Sequence, residues 1–477
     1  MTDTSEHSRT EALSTPPPGC PASKMGLGPG PGGRTRLYGP EAENDPYGLY
    51  ERLREEHGPV APVLLHGDLP AWLVLGYREN LDVTRTPSRF SHDPRLWTEM
   101  REGRVPPDHP LLPVVTWQPM MSYVDGEQHE RWRGAVNDSI ARLDKRGIRR
   151  HVTQCANQLV DRFCGSGEAD LVHQFGEHLT MMAMTQIVGM PEEYSPQLVS
   201  ASRNLVKGNE SAIASNEFIQ ETLRKLVARK RAQPEADLTS WLLEHPAELT
   251  DDEVQQHLRL ILVAAFETTA NLIASTLKMV LTDIRFRASL AGGHMTLPDA
   301  VEQVLWDEPP FLTVVGRWAA QDTELAGKEI KAGDALVLAL AAGNVDTAVR
   351  PDLDAPIHGN RAHLAFSGGA HECPGQDIGR AIAGTGIDAL LLRLPDLALA
   401  VEESELCYHS SLLSRNLTAL PVKFTASQPA YRELTTVEIP SAGAIDVQSA
   451  PAAAPSGQGP EPRVSWWKSL RRWLQRR

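Results

Sequence analysis

The chain has 477 residues, of which 23% are charged and 41% hydrophobic, and this composition is typical of a folded globular protein rather than a disordered one. The formal net charge of -14 argues against a nucleic-acid binder as a whole. The polar start, MTDTSEHSRT, has no basic and apolar signal pattern, and clean apolar runs such as Leu260 to Phe266 are too short to span a bilayer. Five cysteines without CxxC pairs or disulfide-framework density favour a reducing, cytoplasmic compartment.

The first part of the chain divides into a leader and the start of a domain. Residues 1–38 are rich in Pro, Gly and Ser, so the sequence predicts a disordered leader there. From Pro40, the stretch DPYGLYERLREEHGPV predicts a helix with Leu49 and Leu53 on one face, and AWLVLGY predicts a strand.

The next region combines an irregular segment with a charged helix. Residues from about Ser88 to Tyr123 are punctuated by prolines, and a long loop of this kind in a compact domain is usually functional or mobile. In DGEQHERWRGAV, His129 and Arg133 are four residues apart and therefore share a helix face. A solvated surface pair is the alternative interpretation of these two residues.

Helical periodicity continues through the middle of the chain and ends in the longest predicted helix, which begins at LTDDEVQQ. Thr250 and Glu253 form a capping box at its start, and its centre is apolar on all sides, as expected for a helix through the middle of a domain. Glu267 and Thr268 lie in that apolar centre. The simpler interpretation is a carboxylate paired with a neighbouring segment and a threonine bonded to its own helix.

A short loop, FSGGAHECPGQDIGR, contains a single cysteine, Cys373, and precedes a helix. Its glycines and its proline impose a tight, irregular backbone. The amide groups of such a backbone approach the sulfur and stabilise a thiolate, and a stabilised thiolate is a metal ligand. A small buried cysteine in an ordinary turn is the alternative.

This loop resembles the cysteine-ligand loop of the cytochrome P-450 haem-thiolate monooxygenases, through Phe366, Gly369, His371, Cys373 and Gly375. The resemblance covers roughly residues 40–427. It implies a mainly α fold with small β-sheets, organised as a single large haem-binding domain over residues 39–427. It also implies haem b as the cofactor.

The resemblance assigns roles to individual residues. Cys373 would be the axial thiolate of the haem iron, and Phe366 would lie against the ring on the sulfur side. His129, Arg133, Arg317 and His371 would hold the two propionates. Glu267 and Thr268 match the acid–alcohol pair of the family, in which the threonine hydrogen-bonds dioxygen and the acid relays protons from water.

One position departs from the family pattern. Relatives carry a glutamate followed three residues later by an arginine, whereas Glu302 is followed three residues later by Leu305. The sequence therefore predicts that the usual buried triad is reduced to Glu302 and Arg361, a neutral pair that need not destabilise the fold. Trp306 is predicted to donate its indole N–H to the spare oxygen of Glu302. The departure resembles a branch of the family that lacks this arginine.

The end of the chain is predicted to be separate from the domain. Residues 428–462 are rich in Ala, Pro and Ser and read as a flexible linker. Residues 463–477, RVSWWKSLRRWLQRR, contain six basic residues and no acid, which leaves about -20 on the rest of the chain. Tryptophans beside arginines on an amphipathic helix favour an anionic membrane surface, and a protein partner or the chain's own acidic domain is the alternative.

The sequence thus predicts a monooxygenase that inserts one oxygen atom into a small organic substrate. Electrons would come from a separate ferredoxin and its reductase, since no flavin or iron–sulfur module accompanies the haem domain. A haem-binding regulatory or scaffold protein with little turnover, linked to signalling at the membrane, is the second hypothesis, because it accommodates both the missing arginine and the basic tail. A helical adaptor that retains only the fold is a third.

Overall fold

The computed structural model describes residues 30–430, except 108, 208–210, 284–295, 354, 356 and 358. The predicted linker beyond residue 430 and the basic segment 463–477 lie outside the described residues. So do residues 1–29 of the predicted leader. Residues 30–38, which the sequence assigns to the leader, instead contain a short strand, because this strand pairs with the sheet and Leu37 is buried beside it.

Most of the described chain is helical. The helices are, in chain order, α1 (Pro40–Asn44), α2 (Pro46–His57), α3 (Tyr77–Arg85), α4 (Thr98–Arg101), α5 (Leu112–Val115), α6 (Gly126–Ala141), α7 (Lys145–Phe163), α8 (Glu177–Val188), α9 (Ser195–Lys207), α10 (Ala212–Ala232), α11 (Leu238–Leu243), α12 (Asp251–Thr282), α13 (Leu297–Asp307), α14 (Leu340–Asn344) and α15 (Gln376–Arg393). The predicted entry helix corresponds to α2, and the predicted longest helix is α12.

The strands are short and form small sheets. They are β1 (Thr35–Arg36), β2 (Val60–Leu65), β3 (Leu69–Val74), β4 (Phe90–Ser91), β5 (Glu168–Asp170), β6 (Val314–Ala319), β7 (Thr323–Leu325), β8 (Lys328–Ile330), β9 (Ala335–Leu338), β10 (Ala398–Leu399), β11 (Tyr408–Ser410), β12 (Arg415–Leu417) and β13 (Pro421–Lys423). The largest sheet has the order β1-β2-β3-β9-β6-β4, and it is mixed, because β3 pairs with β9 in parallel whereas β6 pairs with β9 antiparallel. The remaining strands form β10-β13-β5, β11-β12 and β7-β8.

Helix α12 runs through the main core, where it packs against α8, α10, α13 and α15. The predicted capping box is present, since the Thr250 side chain accepts a hydrogen bond from the Glu253 N–H and the Glu253 carboxylate accepts one from the Thr250 N–H. By length and composition alone α12 is able to cross a membrane, but half of its most apolar stretch is buried inside the domain. We therefore interpret it as the central helix of the fold.

A second hydrophobic core lies around the six-stranded sheet, next to α2. The predicted irregular region between residues 88 and 123 contains only short pieces of structure, β4, α4 and α5 among them. This region connects the sheet to α6, and its last residues contact α12 through the hydrogen bond from the Met121 N–H to His257 Nε2 (3.1 Å).

Candidate haem site

The Cys373 loop is held in place from both ends. The Cys373 N–H donates to the carbonyl of Phe366 (2.9 Å), and α15 begins three residues after the cysteine. Gly369 has a φ of +69°, and a Cβ at this position would lie 2.2 Å from the carbonyl oxygen of Thr84 in α3. Glycine is therefore required where the loop presses against α3.

Cys373 is partly buried. Burial raises the pKa of Cys373, and a hydrogen bond from the Gly375 N–H opposes that shift. The loop thus supplies the predicted amide donor. Burial disfavours the free thiolate, and a bound metal cation would favour it. Phe366 packs against the main core and lies under the guanidinium of Arg380 (4.5 Å to the ring centre).

Three of the four predicted propionate residues converge near one carboxylate, Asp125. His371 Nε2 lies 3.3 Å from Asp125 Oδ1, and the ring of His129 stacks on that of His371 with centres 3.8 Å apart. Arg317, which is 5% exposed, interacts electrostatically with the same aspartate. Arg133 lies beside the Cys373 loop, where it donates to the carbonyl oxygen of Glu372 and to Asn137 Oδ1.

His92 and Asp125 belong to this site, although the sequence did not predict them. Asp125 accepts hydrogen bonds from the Ser91 hydroxyl (2.6 Å), the His92 N–H (2.8 Å) and the His92 ring (2.8 Å). Nitrogen and oxygen atoms of His92, Asp125 and His371 all lie within 4.8 Å of one another. The sequence offered no distinct signal for them, since Asp125 immediately precedes the helix of His129, where an aspartate is common.

Burial and hydrogen bonding change the pKa values of the residues in this cluster. Desolvation lowers the pKa of His129 to about 4 and that of Arg317 to about 10. Burial also opposes the charge of Asp125, but hydrogen bonds from His371, His92 and Ser91 outweigh it and hold the pKa of Asp125 well below its ordinary value. Asp125 is therefore an anion among neutral histidines and a cationic arginine.

The unpaired polar atoms of the cluster around Asp125 show whether its residues fit a haem. The buried atoms Arg317 Nε, a fixed donor, and His129 Nε2, a donor in one of its two tautomers, have no hydrogen-bond partner. His92 Nε2 is also unpaired, but it carries no proton, because the neutral ring donates from Nδ1 to Asp125. An unpaired buried donor is costly, and the two propionates of a haem would supply carboxylate acceptors to a site with these donors. The residues therefore fit haem, with Cys373 as the candidate iron ligand.

The predicted acid–alcohol pair lies in the middle of α12. Ala264 is exposed, although the neighbouring residues of the helix are buried or half-buried. The Thr268 hydroxyl donates to the Ala264 carbonyl (2.8 Å), as in the simpler interpretation of this residue. Glu267 Oε1 accepts hydrogen bonds from Ser414 (3.1 Å) and Asn416 (3.2 Å), and burial raises its pKa despite these bonds.

Glu302 has more partners than the sequence predicted. Arg361 is present, 3.3 Å from Glu302 Oε1, but its side chain is 61% exposed. The principal partner is Arg380 of α15, whose Nε and Nη2 donate to the two carboxylate oxygens at 2.6 and 3.1 Å. His363 adds a bond from Nε2 (3.0 Å), and since its Nδ1 accepts the Ala365 N–H, the ring proton is on Nε2. The predicted reduction to one positive charge is therefore wrong.

The predicted bond from Trp306 to Glu302 is also wrong. The Trp306 indole N–H donates to the carbonyl of Asn360 (2.8 Å) instead, because His363 and Arg380 already occupy the carboxylate. Leu305, at the position of the family's arginine, is 1% exposed and packs in the main core. Burial opposes the charge of Glu302, but the bonds from His363 and Arg380 outweigh it and lower its pKa.

Comparison with known proteins places this arrangement in a family. The chain is 31% identical over 399 residues to the cytochrome P450 monooxygenase PikC of Streptomyces venezuelae, a match that covers 81% of this chain and 93% of PikC. It is 30% identical over 393 residues to 2-hydroxy-5-methyl-1-naphthoate 7-hydroxylase of Streptomyces carzinostaticus, covering 79% and 95% of the two chains. The chain belongs to the cytochrome P450 family.

The fold agrees with this assignment. The solved structure of CYP154C4 from Streptomyces sp. W2061 superposes with a TM-score of 0.73 and 27% identity, over 82% of this chain and 97% of that one. No family model matches the chain. The predicted class, mainly α with small sheets in a P450 fold, is confirmed. The protein is a haem-thiolate monooxygenase, an oxidoreductase whose cofactor is haem b held by a cysteine thiolate, and the regulatory alternative is not favoured.

We expect the Glu302 cluster to stabilise the fold. Glu302→Gln leaves Arg380 without its counter-charge in a buried setting, so the free energy of unfolding should fall by about 3 kcal/mol. Because the pKa of Glu302 is lowered in the folded state, its contribution is present above the unfolded value of about 4.3 and is lost as the pH falls through the folded value. Denaturant unfolding at pH 7 and at pH 4 measures both effects.

The matched control for this prediction is Arg361→Gln. This side chain is mostly exposed, so its removal should cost about 1 kcal/mol or less. Equal losses for the two variants would contradict the assignment of Arg380 as the principal partner.

Proposed function

We propose that Cys373 is the axial ligand of the haem and that the protein inserts one oxygen atom of dioxygen into a small organic substrate. The observation that carries this proposal is the Cys373 loop together with the unpaired buried donors His129 Nε2 and Arg317 Nε. A haem bound through a thiolate supplies dioxygen activation, since electron donation from sulfur favours O–O cleavage. The relatives named as hydroxylases and monooxygenases support the reaction class.

The remaining residues have proposed roles that follow from their positions. His129, Arg133, Arg317 and His371 would hold the propionates. Phe366 would pack beside the sulfur, and Gly375 would hold it by its N–H. Glu267 has a raised pKa and two neutral hydrogen-bond partners, so it is suited to carry a proton between water and the Thr268 hydroxyl. The Thr268 hydroxyl would turn from the Ala264 carbonyl to donate away from its own helix.

The ligand assignment is tested by the ferrous carbonyl difference spectrum of the purified protein. Wild type should give the strongly red-shifted Soret band of a thiolate-ligated haem. Cys373→Ala should lose this band, while Cys407→Ala, which changes an exposed cysteine, should keep it. A red-shifted band in the Cys373→Ala protein would refute Cys373 as the ligand.

We also propose that electrons come from a ferredoxin, itself reduced by a ferredoxin reductase, and that the ferredoxin binds beside Cys373. A surface pocket of about 290 Å³ lies there, lined in part by Arg133, Lys145, Glu372 and Cys373. Lys145 lines this pocket, and its neighbours in the chain include the exposed basic residues Arg142, Arg146, Arg149 and Arg150. A basic surface on a chain of net charge -14 favours an acidic partner at this face.

Reversal of charge beside this pocket should slow electron delivery. Lys145→Glu/Arg146→Glu should lower the rate of haem reduction by a reduced surrogate ferredoxin about tenfold at low salt, with a smaller effect at high salt. Stopped-flow measurement of the ferrous carbonyl complex gives this rate. Lys331→Glu, a 62% exposed site on another surface, is the control, and an equal loss in that variant would contradict the proposed location.

For the C-terminal segment we keep the proposal that residues 463–477 bind an anionic membrane surface, so that a cytoplasmic protein becomes peripheral to the membrane. The full chain should float with liposomes containing anionic lipid, and a chain ending at residue 462 should not. Equal flotation of the two would remove the membrane proposal. Binding to a protein partner, or to the chain's own acidic domain, would then be the interpretation to test.

A further inference from the structure

The side chain of Glu267 on α12 is held by the hairpin of β11 and β12, and both of its hydrogen bonds go to one oxygen. Oε1 accepts from the Ser414 hydroxyl (3.1 Å) and from Asn416 Nδ2 (3.2 Å). Within the described part of the chain, Oε2 accepts no hydrogen bond from the protein. The two oxygens of this carboxyl group are therefore in different environments.

Hydrogen bonds within the hairpin fix the direction of both donors. Asn416 Nδ2 also donates to Ser414 Oγ (3.2 Å), and an amide nitrogen has no acceptor capacity. Ser411 Oγ, 3.4 Å from Ser414 Oγ, already accepts the N–H groups of Leu413 and Ser414. The single proton of the Ser414 hydroxyl is thus directed to Glu267, and Oε1 faces two donors.

The turn that carries Ser414 is fixed to the segment that leads into β6. The Leu312 N–H donates to the carbonyl of Leu413 (2.8 Å), and the Thr313 hydroxyl donates to the carbonyl of Leu412 (2.6 Å). Ser414 itself is 4% exposed. Since the surrounding structure holds the donors in place, they are oriented toward Glu267 before any proton moves.

The charge environment of Glu267 differs from that of other carboxylates near α12. Glu253 and Glu302 each pair with an arginine, whereas the hydrogen-bond donors to Glu267 are neutral. His409 of β11 is the ionisable side chain of the hairpin that acts on it electrostatically. Burial raises the pKa of Glu267, and the two hairpin donors oppose that shift. A carboxyl group with these opposing effects is suited to take up and release a proton.

We propose that Ser414 and Asn416 are positioning residues that hold Oε1 of Glu267 as a fixed acceptor and thereby place the transferable proton on Oε2. A proton on Oε1 would compete with both donors for the same oxygen. A proton on Oε2 leaves both bonds intact, so Glu267 gains and loses it without rearrangement of the hairpin. This proposal rests on the proposed role of Glu267 as a proton carrier and specifies the atom that carries the proton.

Infrared difference spectroscopy of the full-length ferric haem protein tests this proposal. The C=O band of the protonated Glu267 is identified by its loss in Glu267→Gln, and its pH titration gives the pKa. If Oε2 carries the proton, Oε1 is the C=O oxygen, and each hairpin bond lowers its stretching frequency. Ser414→Ala and Asn416→Leu should therefore each raise this frequency. Each should also raise the pKa of Glu267 by about one unit, because a donor to the charged form is lost.

Thr418→Ala is the matched control within the same hairpin. The Thr418 hydroxyl donates to the carbonyl of Cys407 (3.1 Å) and not to Glu267. This variant should keep the wild-type C=O frequency and pKa. Equal shifts in Thr418→Ala would make the effect a general one of hairpin stability and overturn the proposal.

Two further outcomes would overturn it. An unchanged C=O frequency in Ser414→Ala and Asn416→Leu would place the proton on Oε1, and either variant decides this if the other does not fold. Absence of any titrating Glu267 band in wild type would mean that the carboxyl group does not take up a proton.

The ferrous carbonyl spectrum of each variant separates this proposal from the haem assignment. Both hairpin variants should keep the red-shifted band, since Ser414 and Asn416 bond to α12 rather than to the Cys373 loop. A red-shifted band with unchanged infrared spectra refutes only the role of Ser414 and Asn416. Loss of the band in wild type refutes the haem assignment itself.

Discussion

The carboxylate of Glu302 joins the parts of the protein on which the haem site depends. It lies on α13, it is 2% exposed, and it receives donors from Arg380 on α15 and from His363 just before the Cys373 loop. Removal of any partner would leave a buried charge or donor unpaired, so the three segments are held together as a unit. The guanidinium of Arg380 also covers the ring of Phe366, which connects the same cluster directly to the loop.

This cluster explains how the protein accommodates Leu305. In a buried ion pair, what matters is that each charge has a partner, and the chain position that supplies the partner is secondary. Arg380 reaches Glu302 from α15, and Leu305 is thereby free to pack in the core. The departure from the family pattern is therefore compensated within the same site, and it gives no reason to expect the loss of haem binding.

A second carboxylate, Asp125, organises the other side of the candidate haem site. It fixes His92 and His371 by hydrogen bonds and lies near Arg317, while Arg317 Nε and His129 Nε2 remain unpaired. One aspartate does not satisfy all of these buried groups, and haem propionates are acceptors with the chemistry that does.

The sequence by itself determined the features that depend on local spacing. The Cys373 loop, the pair His129 and Arg133, the capping box of Thr250 and Glu253, and the length of α12 all follow from residues near one another in the chain. Turn chemistry and helical periodicity are local properties, so these features could be read from the chain. The P450 fold and the haem-binding class followed only from the resemblance of the Cys373 loop and its companion motifs to the family.

Only the tertiary structure decided the contacts between distant segments. The replacement of the family's arginine by Arg380, the bond of Trp306 to Asn360 and the place of Asp125 among the histidines join residues far apart in the sequence. By sequence alone, several charged residues were equally suitable as partners. Which of them make contact depends on how the helices pack.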